Sequence, residues 1–271
     1  MTREDRRYRV EPFPAARRIV ADAGHMGIRR HLIHGLLEFD VTHARLCIRE
    51  HGARTGETLS FTAFLVCCLA QALAAHPHVQ AYRNWRNQLI VFEDVDVVIL
   101  IEPESGTVAI PHIVREANRK TVIDISREIR AIQSAPRKSV QRSGLLARLG
   151  PRAPRFMRAW FFRALRMNPH WLKRYAGTVV LTAVGMFVPG GGWGLGFLPM
   201  HTIGLTVGSI VTKPAIIDGQ IVPREHLALT ISVDHDVVDG APAARFAQLL
   251  KELIESGHGL SDEHAESTST S

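Results

Sequence analysis

The segment Ser232-Val-Asp-His235-Asp-Val-Val-Asp239-Gly240 places a histidine four residues before an Asp-Gly turn. It follows the apolar run 227–233, and a helical pattern comes directly after it. A strand–turn–helix junction of this kind gives a reactive side chain a rigid support and an open setting. Histidine changes charge near neutral pH, so His235 can take a proton from a thiol or a hydroxyl and return it. Taken alone, the motif is more typical of a half-buried histidine with Asp239 as turn and N-cap residue, and the rest of the chain reverses that preference.

The composition indicates a globular protein with a sizeable core. The chain has 271 residues, of which 46% are hydrophobic and 22% are charged. Its three cysteines form neither a disulfide framework nor a zinc pattern, and Cys67 and Cys68 are adjacent inside an apolar run. Residues 1–10 are basic and polar and lack the apolar segment of a signal peptide. We therefore expect reduced core thiols and a cytoplasmic protein.

Hydrophobic periodicity predicts alternating helices and strands. Helices are expected at 15–28, 60–75, 121–133 and 239–256, and strands at 36–41, 88–92, 95–101, 108–114, 177–187, 203–212 and 227–235. No change of composition separates two cores, so we expect one domain at 11–257, with a mixed sheet and helices on one side. A flexible basic N-terminus at 1–10 and a disordered polar tail at 258–271 are expected around it.

Several ordered segments resemble one known family. They are Glu38-Phe-Asp-Val41, Gly106–Pro111, Gly177–Phe187, the hairpin-like Ile217–Val222 and the signature Leu229–Phe246. In this order they resemble the catalytic domain of the acyltransferase (E2) component of 2-oxo acid dehydrogenase complexes and, more distantly, chloramphenicol acetyltransferase. The resemblance covers residues 12–256, and several ordered matches are more specific than one short motif. It implies an α/β two-layer sandwich with a mixed sheet that forms trimers, with the active site at a subunit interface.

The resemblance also implies the roles of five residues. His235 takes the place of the general base, which deprotonates a thiol that attacks an acyl-CoA thioester. Asp239, followed by Gly240, takes the place of the aspartate that supports the site. Arg17 is the matching candidate for its arginine partner, and Arg18 is the second candidate. Thr182 takes the place of a serine whose hydroxyl stabilises the oxyanion, although a threonine there is equally well explained as an ordinary β-branched strand residue. Coenzyme A or acyl-CoA is then a substrate, and no metal is expected.

Three departures from the family keep the activity open. Asp236 stands where the family has an arginine, Ala183 stands where it often has an asparagine, and no lipoyl domain is recognisable in the chain. The first hypothesis is a stand-alone acyltransferase that uses a thiol acceptor, with a lipoyl group supplied in trans by a lipoyl or other carrier domain. The alternatives are a non-catalytic assembly core or membrane-associated scaffold, and an O- or N-acyltransferase for a small molecule. The expected self-association is a homotrimer or a larger cage.

A long basic region stands out within the net charge of +7. Between Glu128 and Asp218 the sequence has thirteen Lys and Arg residues and no Asp or Glu. Within it, 136–175 reads as a basic amphipathic insertion with an apolar stripe at 157, 160, 161, 164 and 165. The stripe fits packing on the protein's own core or a neighbouring subunit, and it also fits an anionic membrane surface, which would make the cytoplasmic protein peripheral at the membrane. Attraction of CoA phosphates or an acidic carrier is a further alternative, while no reading motif supports nucleic acid.

Overall fold

A computed structural model describes residues 9, 12–28, 30–101, 110–134, 153–183 and 190–260. The α-helices are α1 (Ala15–Gly27), α2 (Thr42–Thr55), α3 (Phe61–Ala75), α4 (Val122–Ser134), α5 (Arg155–Met167), α6 (Pro169–Ala176) and α7 (Gly240–Glu255). The strands are β1 (Leu32–Asp40), β2 (Tyr82–Arg83), β3 (Leu89–Ile90), β4 (Val97–Ile101), β5 (Ile110–Val114), β6 (Val179–Ala183), β7 (Ile203–Ile217) and β8 (Gln220–Asp234). Short 3-10 helices lie at Pro77–Gln80 and Ala117–Arg119.

Six strands form one mixed sheet in the order β1-β8-β7-β6-β4-β5. The neighbours β4, β6 and β7 are parallel, whereas β1, β8 and β5 pair antiparallel with their neighbours. The predicted mixed sheet is therefore confirmed. Strands β7 and β8 are longer than their apolar runs predict, because Asp218 and Gly219 adopt positive φ angles of 51° and 76° and form a tight two-residue hairpin turn.

One face of the sheet packs against helices and forms the main core. Leu181, Leu205 and Leu229 on the three central strands are 0–1% exposed on this side. Helix α3 begins after Ser60, whose hydroxyl accepts a hydrogen bond from the Ala63 N–H at 3.4 Å. Cys67 lies in this helix as a free thiol, and burial raises its pKa to about 11. The prediction that this cysteine lies in the core is confirmed, and the raised pKa keeps its thiol protonated at neutral pH.

The predicted ends of the domain fall partly outside the described residues. Residues 1–8, 10 and 261–271 of the expected flexible ends lie outside, as does 136–152 of the basic insertion. Ordered structure nevertheless continues beyond 257, because Leu260 is 8% exposed and its N–H bonds to the carbonyl oxygen of Gly257. Across the described ranges, none of the helices has the length and hydropathy needed to cross a bilayer.

The predicted apolar stripe of α5 packs on the protein's own core only in part. The helix buries Phe162 and Leu165 against Ala23 of α1, whereas Met157 and Trp160 of the predicted stripe are 51% and 70% exposed. Tertiary contacts set this rotation, because Arg158 is nearly buried beside Asp22, with Nε 2.5 Å from the carboxylate. The ion pair turns the 158/162/165 side of the helix inward and leaves part of the stripe outside.

Candidate active site

Asp234, the last residue of β8, organises the turn that carries His235. Its carboxylate accepts hydrogen bonds from Arg30 Nη1 at 2.9 Å and from the backbone N–H of Asp236 at 3.2 Å. Its carbonyl oxygen accepts from the N–H groups of Val237 and Val238, both at 3.0 Å. The side chain is 8% exposed, so these bonds satisfy a buried charge as well as the turn. The backbone around His235 is therefore held at several points.

The side chain of His235 is exposed at this junction. Its backbone N–H donates to the carbonyl oxygen of His31 at 2.8 Å, which continues the pairing of β8 with β1 by one residue. The ring therefore projects from a fixed backbone into open space, which is the arrangement that a general base needs before a substrate arrives.

Asp236, the unexpected carboxylate beside His235, is bound by another group. Its Oδ1 lies 2.8 Å from His31 Nδ1, and its Oδ2 lies 3.9 Å from Arg83 Nη2. The hydrogen bond to His31 lowers the pKa of Asp236, and the same bond raises the pKa of His31. The charge that the sequence places next to the candidate base is thus shared with a different histidine.

Small polar side chains form the sheet face opposite the main core. Thr182, Thr206 and Thr230 lie directly opposite one another on β6, β7 and β8, so they share one face. Two residues further along β8, Ser232 Oγ lies 2.8 Å from His34 Nδ1 on β1. Thr230 Oγ1 is buried without a hydrogen-bond partner among the described residues, which leaves this face with unused capacity for a polar group.

The glycine-rich segment 190–201 crosses this polar face. A β-carbon at Gly196 would lie 3.3 Å from Thr182 Cγ2 and would clash with Thr206 Oγ1, so only glycine allows the chain to pass here. Trp193 of the same segment donates its indole N–H to the carbonyl oxygen of Leu37 at 3.2 Å. The segment therefore borders a cavity of about 170 Å³ next to the strands. This position fits the rim of a substrate channel.

Thr182 and His235 are far apart within one chain. Thr182 is two strands away from Thr230, and His235 is five residues beyond Thr230 along β8. With about 4.8 Å between strands and about 3.4 Å per residue, the separation is roughly 20 Å. One protomer therefore does not bring the base and the candidate oxyanion donor to the same reacting carbonyl.

The other expected site residues are positioned differently from the sequence interpretation. Arg17 is exposed on α1, and the ion pairs of the described residues do not join it to Asp239 within the chain. Asp239 is the N-cap residue of α7 but its side chain makes no capping hydrogen bond, and Gly240 has open space where a side chain would begin. The arginine that holds the turn is Arg30, paired with Asp234.

Sequence reasoning missed Arg30, and its partner residues explain why. Its Nη1 and Nη2 donate to the carbonyl oxygens of His201 and Met200, both at 2.6 Å, in addition to the bond to Asp234. These acceptors lie about 170 to 204 positions away along the chain. The only local signal was an arginine two residues before a strand. The neighbouring His201 is buried, and this burial lowers its pKa to about 4, so its ring is neutral at neutral pH. Its Nε2 donates a hydrogen bond to the carbonyl oxygen of Ala176 at 2.6 Å.

A known family of proteins matches most of the chain, including the segment that contains His235. A family model described as 2-oxoacid dehydrogenases acyltransferase (catalytic domain) matches residues 36–143 and 172–260. The chain belongs to this family. The match contains Thr182, His235 and Asp239, and it leaves out 144–171, where α5 lies.

Relatives of this catalytic domain are themselves longer proteins. The lipoamide acyltransferase component of the branched-chain alpha-keto acid dehydrogenase complex of Bacillus subtilis is 27% identical over 227 residues, which cover 82% of this chain and 46% of the relative. The chain spans about half the length of the curated relatives it matches. The similarity to them therefore concerns the catalytic region alone.

Solved structures of low sequence identity share the fold. A probable dihydrolipoamide acetyltransferase from Listeria monocytogenes superposes with a TM-score of 0.71 at 23% identity, covering 95% of this chain and 97% of the other. The dihydrolipoamide acetyltransferase of Azotobacter vinelandii, solved with enzymatic work on one serine, one histidine and one asparagine in its mechanism, gives 0.69 at 18% identity and coverages of 93% and 94%. Chloramphenicol acetyltransferase gives 0.51 at 12%, with 87% and 94% covered. The expected α/β fold of the acetyltransferase type is confirmed.

Proposed function

We propose that this chain is an acyltransferase that moves an acyl group between coenzyme A and a thiol acceptor of the dihydrolipoyl type. His235 is its general base. The observation that carries the proposal is the exposed ring of His235 on a turn fixed by Asp234, within a chain of the acyltransferase family. The neighbouring Asp236 does not argue against this role, because its carboxylate is bound by His31.

The proposed reaction needs one proton carrier and one oxyanion donor. His235 takes the proton from the acceptor thiol, and the sulfur attacks the thioester carbonyl carbon of acyl-CoA. The tetrahedral oxyanion accepts a hydrogen bond from a threonine hydroxyl. When the carbon–sulfur bond to coenzyme A breaks, the imidazolium returns the proton to the departing thiolate. The acyl group ends on the acceptor, and His235 is again neutral.

We assign the oxyanion donor to Thr182 of the partner subunit. The separation of roughly 20 Å within one protomer rules out direct cooperation between Thr182 and His235 of the same chain. In the Azotobacter vinelandii enzyme, the serine precedes the histidine by 52 positions and the asparagine follows it by four. Thr182 precedes His235 by 53 positions, one more than in that enzyme, and Asp239 follows by four. This similar spacing supports placing Thr182, His235 and Asp239 in the site.

Assembly into a homotrimer, or a larger cage built from trimers, would complete the site. Arg17 and Asp239 are both exposed in the single chain, so a contact between them would require a second protomer. Gly240 leaves open space at the start of α7, where an incoming group can approach the turn. The acceptor thiol would be carried by a lipoyl or similar domain.

A cytoplasmic location is proposed as well, because the free thiols Cys67 and Cys68 are typical of a reducing compartment.

The direct test is acyl transfer from acetyl-CoA to dihydrolipoamide by the variant His235→Ala. We expect kcat to fall by about 10²- to 10⁴-fold while KM for acetyl-CoA changes little, because only proton transfer is removed. His51→Ala is the matched control, since it removes a histidine from α2, away from the His235 turn. Wild-type turnover in the His235 variant would refute the proposed mechanism.

A non-catalytic assembly core is the alternative raised by Asp236. An acyltransferase binds coenzyme A, whereas an assembly core does not. Coenzyme A that binds only the folded protein raises its melting temperature. An assembly core would show no shift at millimolar coenzyme A. Replacing dihydrolipoamide by hydroxyl and amine acceptors in the same assay separates thiol transfer from O- or N-acyl transfer.

A further inference from the structure

Helix α5 carries an exposed stripe that the proposed active site does not use. The outer stripe is defined by Phe156, Trp160, Arg163 and Met167, which follow one another at spacings of four, three and four residues and so lie on one side of the helix. Phe156, Trp160 and Met167 are 73%, 70% and 45% exposed. Large apolar side chains held this far out of the core are unusual when they form a contiguous row.

The opposite side of α5 fixes the outer stripe in its outward position. Phe162 and Leu165 are buried against Ala23, about half a helical turn away from the stripe. Arg158 on the same inner side pairs with Asp22, and its Nη1 donates to the carbonyl oxygen of Ala153 at 2.6 Å. The outer stripe cannot turn inward without breaking a nearly buried ion pair.

Only positive charge accompanies the outer stripe. Arg163 lies within it, Arg155 and Arg166 lie along one flank, and all three are exposed. The whole described stretch 153–183 contains no Asp or Glu. A two-fold contact that placed the stripe of a second copy against this one would bring arginines together without counter-charges, which is unfavourable. The row of Phe, Trp and Met is equally unsuited to a nucleic-acid backbone, which favours basic and polar contacts.

Helix α5 lies outside the two segments that the family model matches. The family model matches up to residue 143 and resumes at 172, so all of α5 falls in the unmatched interval. The apolar stripe therefore does not belong to surfaces that the family model describes. It calls for a partner that combines negative charge with an apolar interior.

We propose that the outer stripe of α5 docks the protein on the surface of an anionic lipid bilayer. Trp160 and Phe156 would enter the region between headgroups and acyl chains, where amphipathic helices bury their aromatic residues. Arg155, Arg163 and Arg166 would lie at the level of the lipid phosphates and add electrostatic attraction. The attachment is peripheral, because α5 has 13 residues and lies along the surface of the fold.

This docking surface is close to the support of the candidate active site. Met200 packs beside Phe162 and Leu165, and its carbonyl oxygen accepts the hydrogen bond from Arg30 that also holds Asp234. The inner side of α5 and the His235 turn are thus linked through Met200 and Arg30. Docking would hold the site next to the bilayer without any residue of the outer stripe taking part in acyl transfer.

The test is co-sedimentation of the full chain with vesicles of phosphatidylcholine alone and of phosphatidylcholine mixed with phosphatidylglycerol. We expect binding to the anionic vesicles only, weakened by raised salt. The double variant Arg155→Glu/Arg163→Glu should lower the partition coefficient by about 25-fold or more, from about fivefold for each charge removed. The variant Phe156→Ser/Trp160→Ser should also abolish binding. Arg245→Glu/Lys251→Glu on α7 makes the same charge change elsewhere and should retain binding.

Four results would overturn the proposal. Equal binding to both kinds of vesicle would exclude an anionic surface as the partner, and full binding by the Phe156→Ser/Trp160→Ser variant would exclude the outer stripe as the attachment. Loss of binding by the α7 control variant would show that vesicle binding depends on the net charge of the protein and not on the outer stripe. A change in oligomeric state of the stripe variants, measured by light scattering without any vesicle binding by the wild type, would identify a second copy as the occupant. None of these readouts depends on acyl transfer, so a failure here is separate from a failure of the proposed function.

Discussion

Two inactive variants should restore each other's activity when they assemble together. His235→Ala removes the base, and Thr182→Val removes the hydroxyl while keeping a β-branched side chain that suits strand β6. Within one chain the two positions are roughly 20 Å apart, too far for both to touch the same carbonyl. If each site takes His235 from one protomer and Thr182 from the next, a mixed trimer contains some sites with both residues intact.

The size of the recovery follows from the cyclic arrangement. Each site is intact only when a Thr182→Val protomer supplies the histidine and a His235→Ala protomer supplies the threonine. Every mixed trimer then has both residues intact at one of its three sites, which is about a third of the sites. The single variants should retain only about a hundredth of wild-type activity or less. Recovery in the purified mixed trimers would therefore exceed the background by about 30-fold.

The two variants would be co-expressed with different affinity tags, and mixed trimers would be purified through both tags. Transfer from acetyl-CoA to dihydrolipoamide is then measured beside trimers of each single variant and beside the double variant, which should stay inactive in every mixture. Native mass spectrometry verifies that both chains are present. Mixed trimers that remain as inactive as the single variants would refute the shared site, and an active Thr182→Val homotrimer would remove Thr182 from the mechanism.

Three further predictions concern the structure that supports the site. His201 has a pKa near 4 in the folded protein because it is buried, against about 6.5 when unfolded, so the unfolded chain binds more protons as the pH falls below 6.5. The contribution of His201 to the unfolding free energy should therefore be complete above pH 6.5 and fall by up to about 3 kcal/mol towards pH 4. Urea titrations at several pH values should show that the unfolding free energy of His201→Gln depends less on pH than that of the wild type. An equal dependence in both proteins would argue against this residue. Asp234→Asn should cost about 3 kcal/mol of unfolding free energy by leaving Arg30 buried without its counter-charge, and an unchanged urea midpoint would contradict that pairing. Gly208→Ala should destabilise by about 1–3 kcal/mol, because its β-carbon would lie 2.5 Å from the Gly192 carbonyl oxygen and 2.9 Å from that of Ala228; a melting temperature equal to that of wild type would show that the strand adjusts freely.

Local pattern predicted most of the elements because burial leaves a periodic trace in sequence. Helix α3 was expected at 60–75 and lies at Phe61–Ala75, and α7 was expected at 239–256 and lies at Gly240–Glu255. The strands β7 and β8 extend further than the sequence predicts, because their distal halves are partly exposed and Lys213, Arg224 and Glu225 interrupt the apolar pattern there. Strand pairing there depends on backbone bonds and on the positive φ angles at Asp218 and Gly219.

The candidate base was predictable, whereas its surroundings were not. His235 stands in a local motif with its strand before it and its helix after it, so a contiguous segment contains the signal. Arg30, His201 and Asp236's partner His31 act through contacts between distant parts of the chain. The residue type alone does not show which arginine or histidine makes such a contact, since the chain contains many of both.

The sequence by itself determined the family, the mixed α/β fold and the position of His235, because motif order and hydrophobic periodicity are properties of the chain read in one dimension. Only the tertiary structure decided that Arg30 holds the turn, that Asp236 is occupied by His31, and that the aromatic side of α5 faces outward. It also decided that Thr182 is out of reach of His235 in the same protomer. The physical reason is that strand order, register and helix rotation are fixed by packing across the whole domain, and local residue preferences do not encode them.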